Sequence, residues 1–104
     1  MKRTIKIKSS PEERVLRILK SILDPELNVN IVDLGLIYDM KIEGRRVKIL
    51  MTFTNIACPL KNYILTEIKE RLKSIGFDAD VELTFNPPWS PERMNRKLRK
   101  KFGF

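Results

Sequence analysis

The stretch LIYDMKIEGRRVKILMTFT, Leu36 to Thr54, decides the fold. From Leu36 to Glu43 the residues alternate, with Leu36, Tyr38, Met40 and Ile42 on one face and Ile37, Asp39, Lys41 and Glu43 on the other. Arg46 to Thr54 alternates again and places Val47, Ile49, Met51 and Phe53 on one side. A period of two is the signature of a strand buried on one face, and Gly44-Arg45 between the runs is a tight turn. The pair therefore predicts an antiparallel hairpin.

Working outward, the segments on either side have helical spacing. Upstream, Ser10-Pro11-Glu12-Glu13 predicts a helix start, with Ser10 as N-cap, Pro11 at the first helical position and Glu13 closing a capping box. Val15, Leu19 and Ile22, with Leu16, Ile18 and Leu23 alongside, form its apolar stripe, and Pro25 predicts a stop near Asp24. Downstream, Leu60, Ile64, Ile68, Leu72 and Ile75 mark a second helix that Gly76 terminates in a left-handed conformation. Ala79, Val81, Leu83 and Phe85 predict a third strand; because it follows a helix, parallel pairing to a hairpin strand, by a right-handed crossover, is open to it. Asn86-Pro87-Pro88-Trp89 is irregular, Trp89 is a hydrophobic plug over the core, and Ser90-Pro91 starts a short basic helix. The expected class is α+β: a three-stranded sheet packed against two main helices, with the short basic helix at the C-terminus. Residues 10–104 are expected to form one domain behind a basic extension, residues 1–9.

Composition narrows the chemistry. There is one cysteine and no histidine, so an internal disulfide, a Cys-His nucleophile and a His-containing zinc site are all excluded. The formal charge of +8 sits at the ends: Lys2, Arg3, Lys6 and Lys8 at one, and Arg93, Arg96, Lys97, Arg99, Lys100 and Lys101 against Glu92 at the other, leaving the body near neutrality. That distribution fits solubility or docking to an acidic partner, and argues against a groove that tracks nucleic-acid phosphates. The N-terminus lacks the continuous apolar stretch of a signal peptide or membrane span, so a cytoplasmic location and no membrane association are expected.

Cys58 falls between a strand end and a helix start, with Pro59 suited to the first helical turn. As N-cap it would face the N–H groups of Leu60 and Lys61 in the first helical turn, and these, the helix dipole and the Lys61 charge favour a thiolate. A free cysteine is equally at home as a small buried hydrophobe, so the residues alone leave both readings open. Asp24, Glu26, Asp33 and Asp39 form a carboxylate-rich segment, and such residues are more often caps and turn formers than ligands. Thr54 is close enough in sequence to Cys58 to share a pocket with it.

Four motifs, in order, extend from about Val15 to the C-terminus: Asp24-Pro25-Glu26-Leu27; Ile31-Val32-Asp33-Leu34-Gly35-Leu36-Ile37-Tyr38-Asp39; Met51-Thr52-Phe53-Thr54 followed by Cys58-Pro59-Leu60; and Pro87-Pro88-Trp89-Ser90-Pro91-Glu92-Arg93-Met94. Together they resemble the SufT/PaaD-like family of iron-sulfur cluster assembly proteins. Asn55, Ile56 and Asn86 depart from the family's usual residues at their positions. The resemblance implies a non-enzymatic accessory factor in cluster assembly or transfer, with a functional pocket made of Asp24, Glu26, Leu27, Thr54 and Cys58. It further implies cluster carrier or scaffold proteins and client apo-enzymes as partners. Cys58 would be a transient ligand for iron or a cluster. A cluster generally takes four protein ligands and this chain has one thiol, so none is expected to stay bound to the isolated monomer, and a homodimer is one way to share it. The alternatives are a thiol-dependent enzyme and a nucleic-acid-binding module that uses the basic ends.

Overall fold

The computed structural model describes residues 10–54 and 61–103. Helix α1 (Pro11–Leu19) begins at the expected capping box: Ser10 Oγ accepts from the Glu13 N–H at 3.1 Å, and Glu13 Oε1 accepts from the Ser10 N–H at 2.9 Å. The helix ends at Leu19, earlier than Pro25 predicts. The Ser21 and Ile22 N–H groups bond to the carbonyls of Ile18 and Leu19, which tightens the last turn, and the Ser21 hydroxyl also donates to Ile18. The chain is thereby released into strand β1 (Leu23–Asp24), which pairs antiparallel with β2 (Val29–Asn30) in a small hairpin that the periodicity does not announce. Tertiary pairing ends this helix before the proline does.

Glu13 gives a first testable consequence. Its carboxyl lies below the ordinary value, chiefly because the Ser10 backbone N–H bonds to it, then through the Ser10 side chain, with the Arg17 charge adding to both. A depressed folded pKa contributes stability that is present above the unfolded value and lost as pH falls through the folded one. Acid should therefore fray the first turn of α1, and Glu13→Gln should remove that pH dependence. Carbon-detected NMR titration of Glu13 checks this; titration at or above the usual carboxylate value would refute it.

The hairpin of Leu36–Thr54 is β3 (Ile37–Glu43) against β4 (Arg46–Met51), antiparallel, and β5 (Asp78–Leu83) lies parallel on the other side of β4. One feature departs from simple alternation. The register shifts between Ile37 and Asp39, so Tyr38 is a bulge residue and Ile37 pairs with Met51 on the same face as Met40–Ile49 and Ile42–Val47. Ile37 thus joins the inner face, and Tyr38 is re-aimed toward the C-terminal segment, where its hydroxyl donates to the Pro87 carbonyl at 2.9 Å.

Helix α2 (Lys61–Ser74) covers the inner face of the sheet. Ile64, Ile68 and Leu72 pack with Val47, Ile49, Met51 and Phe53 of the hairpin and Val15 and Leu19 of α1, all buried in one cluster. Full burial of each such side chain is worth about 1.5–3 kcal/mol, which is why this face holds the layers together. Gly76 (φ 94°) ends α2, as its position predicts, and the Phe77 N–H returns to the Leu72 carbonyl. This reversal leaves Ile75 exposed and puts Phe77 into the core in its place. Residues 1–9 and the expected start of α2, with Cys58 as N-cap and Leu60 in the apolar stripe, lie outside the described residues.

After β5 the chain runs back as a strap, residues 86–95, across the loop before β3. Ser90-Pro91 opens a single 3₁₀ turn (Pro91–Arg93), not the basic helix expected there. Helix α3 (Arg96–Phe102) starts at Asn95, whose side chain accepts from the Leu98 N–H at 2.9 Å. The strap is fixed at several points. Trp89 Nε1–H donates to the Leu34 carbonyl at 2.7 Å, the Asn95 N–H to the Asp33 carbonyl at 2.9 Å, and the Arg93 guanidinium lies 4.6 Å from the Tyr38 ring centroid. Gly35, at φ 83°, makes this contact possible. A Cβ there would stand 2.6 Å from the Arg93 carbonyl carbon and 2.8 Å from its Cβ.

Candidate functional site

The turn joining β1 to β2 is built by one buried carboxylate. Asp24 is 2% exposed, and its Oδ1 accepts from the Glu26 N–H at 2.8 Å and the Leu27 N–H at 3.1 Å. Its carbonyl accepts from the Asn28 N–H at 2.7 Å, and Asn28 takes the left-handed conformation, φ 57°, that asparagine tolerates. Pro25 restricts the residue before it to extended geometry. The sequence Asp-Pro-Glu-Leu-Asn therefore makes a rigid tip with Asp24 as its internal anchor and Glu26 and Leu27 displayed outward, both exposed.

Glu26 and Leu27 face a groove of about 330 Å³. Thr54, which follows the buried run Met51-Thr52-Phe53, lines the same groove. The opposite wall belongs to the strap and α3: Trp89, Pro91, Met94 and Phe102. Three of the five expected pocket residues are thus brought together. Asp24 is not on the groove surface but beneath the tip that forms one wall, and Cys58 lies outside the described residues. Chemically the groove is mainly apolar, with one carboxylate and one hydroxyl at its edge. Such a setting shelters a hydrophobic or soft group and supplies few competing hydrogen bonds.

The other carboxylates of the acidic segment go elsewhere. Asp33 Oδ2 accepts from Asn30 Nδ2 at 2.8 Å, and Asn30 Oδ1 accepts from the N–H groups of Val32 and Asp33, so this pair shapes the turn that leads to Gly35. Asp39 accepts from the Met40 N–H at 2.9 Å and stands on the outer sheet face beside Lys41, Lys48, Asp80 and Glu82. Among the described residues no three histidine, cysteine, aspartate or glutamate side chains converge as a metal-binding group. Glu92 on the strap has its carboxyl held below the ordinary value, first by a side-chain hydrogen bond with Ser90, then by its own backbone N–H, with the Arg99 charge contributing.

Sequence reasoning placed Trp89 on the core as a plug, and its half-buried indole is indeed packed there, but the same residue also walls the groove. Phe102, and the place of the fourth motif's Met94 in the groove, are not marked by the sequence. Met94 is buried in the core cluster, and Phe102 sits near the chain end with no periodic pattern around it to mark it. The one signal available was the Pro-Pro-Trp-Ser-Pro run, which places an aromatic residue on a stiff segment.

Comparison with known proteins agrees with this architecture. The chain is 37% identical over 95 residues to the Fe-S protein maturation auxiliary factor YitW of Bacillus subtilis, covering 88% of this chain and 93% of that protein. A solved structure of a conserved hypothetical protein from Thermotoga maritima superposes with a TM-score of 0.76 at 46% identity, covering 96% of this chain and all of that one. An iron-sulfur cluster carrier protein of Synechocystis contains a 33% identical segment that spans 88% of this chain but 26% of that longer protein. The profile of the family described as "Iron-sulfur cluster assembly protein" matches residues 12–85. By that match and by relatives aligned over most of their length, the chain belongs to the iron-sulfur cluster assembly protein family.

Proposed function

We propose that the protein is an auxiliary factor in the maturation of iron-sulfur proteins, working through Cys58 as a transient thiol for iron or cluster cargo beside the groove of Glu26, Leu27 and Thr54. The observation that carries this reading is the convergence of Glu26, Leu27 and Thr54 on one groove, in a chain whose relatives include maturation auxiliary factors. Cys58 follows Thr54 closely along the chain, and thiolate is the ligand type that iron-sulfur chemistry favours. With no histidine available to activate a nucleophile, a binding role suits this thiol better than turnover. A cluster carrier is a fitting partner, since the same domain occurs as a minor part of a longer carrier protein. Client apo-enzymes would be the recipients.

The test is complementation. Cells lacking such a factor should recover the activity of a cluster-dependent enzyme with the wild-type chain and fail to recover it with Cys58→Ser. Serine preserves nearly the same volume, so the variant should melt near wild type. Full complementation by Cys58→Ser would remove the thiol from the mechanism.

Ligand number sets a second expectation. Reconstituted anaerobically with iron and sulfide, the isolated monomer should not keep a cluster in a one-to-one ratio, because one thiolate is far short of the usual four. Any cluster retained should accompany dimerisation. Iron and sulfide analysis combined with analytical ultracentrifugation decides it, and a cluster-bearing monomer without external thiol would contradict the ligand count.

A further inference from the structure

The wall of the groove formed by the strap is continuous with the most basic element of the protein. Helix α3 carries Arg96, Lys97, Lys100 and Lys101, all exposed, and ends on Phe102, which lines the groove and is 40% exposed. Across from it Leu27 is also 40% exposed. A large apolar side chain left partly in water on each wall, beside a helix whose exposed face is almost wholly cationic, is the composition of a docking surface with an apolar centre and a charged rim.

We infer that this surface docks an acidic peptide segment of a partner protein, with one apolar side chain of the partner entering between Leu27 and Phe102 and its flanking carboxylates lying along α3. The inference rests on the reading of the groove as functional and adds the chemistry of what binds there. Charge complementarity selects the occupant. The body of the chain, from Ser10 to Trp89, is near neutrality, so the positive charge of the C-terminal segment is not balanced by the domain it packs on. The strap and α3 together contain one acidic side chain, Glu92, whose charge acts on Arg99, against the further cations Arg93, Arg96, Lys97, Lys100 and Lys101. A nucleic-acid strand fits less well, because the groove's two aromatic side chains, Trp89 and Phe102, share it with Leu27, Pro91 and Met94, which offer no face for successive bases to stack on. A second copy of the chain also fits less well, because its outer sheet face intersperses Lys41 and Lys48 among Asp39, Asp80 and Glu82 and offers no purely acidic patch.

The experiment is fluorescence anisotropy on the full chain with a short fluorescein-labelled peptide that has a central phenylalanine between runs of glutamate. Matched probes replace the glutamates by glutamine or the phenylalanine by alanine, and a labelled oligothymidylate represents nucleic acid. We expect either altered peptide to bind about tenfold more weakly than the parent. Phe102→Ala, and Lys97→Gln with Lys101→Gln, should each weaken the parent peptide by about the same factor, and added salt should weaken it further. These three residues are exposed, so the variants should keep the wild-type melting temperature, and circular dichroism verifies it. Oligothymidylate binding as tight as the peptide, peptide binding indifferent to both charge and anchor, no peptide binding at all, or self-association that these same variants abolish would each overturn the inference. Complementation by Cys58→Ser, which uses no peptide, is read separately from the binding assay. Loss of maturation by Cys58→Ser together with a failed peptide assay would leave the proposed function standing and the docking surface rejected.

Discussion

Gly35→Ala should destabilise the protein by about 2–5 kcal/mol and loosen the strap from the body, the largest effect expected of any single methyl group here. Two costs combine at this position. Alanine pays about 1–2 kcal/mol to hold a left-handed conformation, and overpacking adds about 1–3 kcal/mol where a group is forced into filled space. The space is filled by backbone: the added Cβ would meet the Arg93 carbonyl group, which cannot rotate away as a flexible side chain would. Relief requires moving the 3₁₀ turn, and with it the contacts of Trp89 on Leu34, Asn95 on Asp33 and Arg93 on Tyr38. Gly44→Ala is the calibrated comparison, since Gly44 has φ 62° but nothing within 4 Å of its would-be Cβ, so only the conformational cost applies. Trp89 is the sole tryptophan, so its fluorescence reports the strap directly during urea unfolding. Equal destabilisation by the two substitutions would show that the strap does not depend on close approach at Gly35.

The same strap explains what the sequence made legible and what it concealed. The hairpin of Leu36–Thr54, the helix over Ile64, Ile68 and Leu72, and the third strand could be read because each follows one local period over a full element. Tyr38 could not be placed correctly. A bulge adds one residue without altering composition, and what draws Tyr38 out of the alternation is Pro87 and Arg93, far along the chain. The start of α3 was misplaced because Ser90-Pro91 and Asn95 both carry helix-start chemistry, and only the turn at Met94 that redirects the chain decides between them. The hairpin of Leu23–Asp24 with Val29–Asn30 is too short to produce a period at all. For the site, Glu26 and Leu27 were legible as neighbours in a motif, whereas their meeting with Phe102 depends on how the strap folds back, and no local pattern encodes that.

Asp24 and Glu26 should respond to substitution in opposite ways, which separates the anchor of the tip from what the tip displays. Asp24→Ala removes the acceptor for two backbone N–H groups in a part-buried turn, and leaving such donors unpaired costs about 1–3 kcal/mol each, so a loss of about 2–6 kcal/mol is expected. Asp24→Asn keeps an oxygen in the accepting position and should retain most of that stability. Glu26→Gln alters an exposed side chain whose described hydrogen bond is made by its backbone N–H, so the fold should not register it. Thermal melts provide the first comparison, and hydrogen exchange of the Glu26 and Leu27 amides provides the second, with fast exchange expected in Asp24→Ala alone. Function should sort the variants differently. If the Glu26 carboxylate acts at the groove, Glu26→Gln lowers cluster-enzyme maturation at unchanged stability, while Asp24→Asn, which preserves the tip, largely maintains it. A wild-type melt for Asp24→Ala would mean that the tip is held by its hairpin pairing and not by this carboxylate, and Asp24 would then return to consideration as a group that acts on the cargo itself.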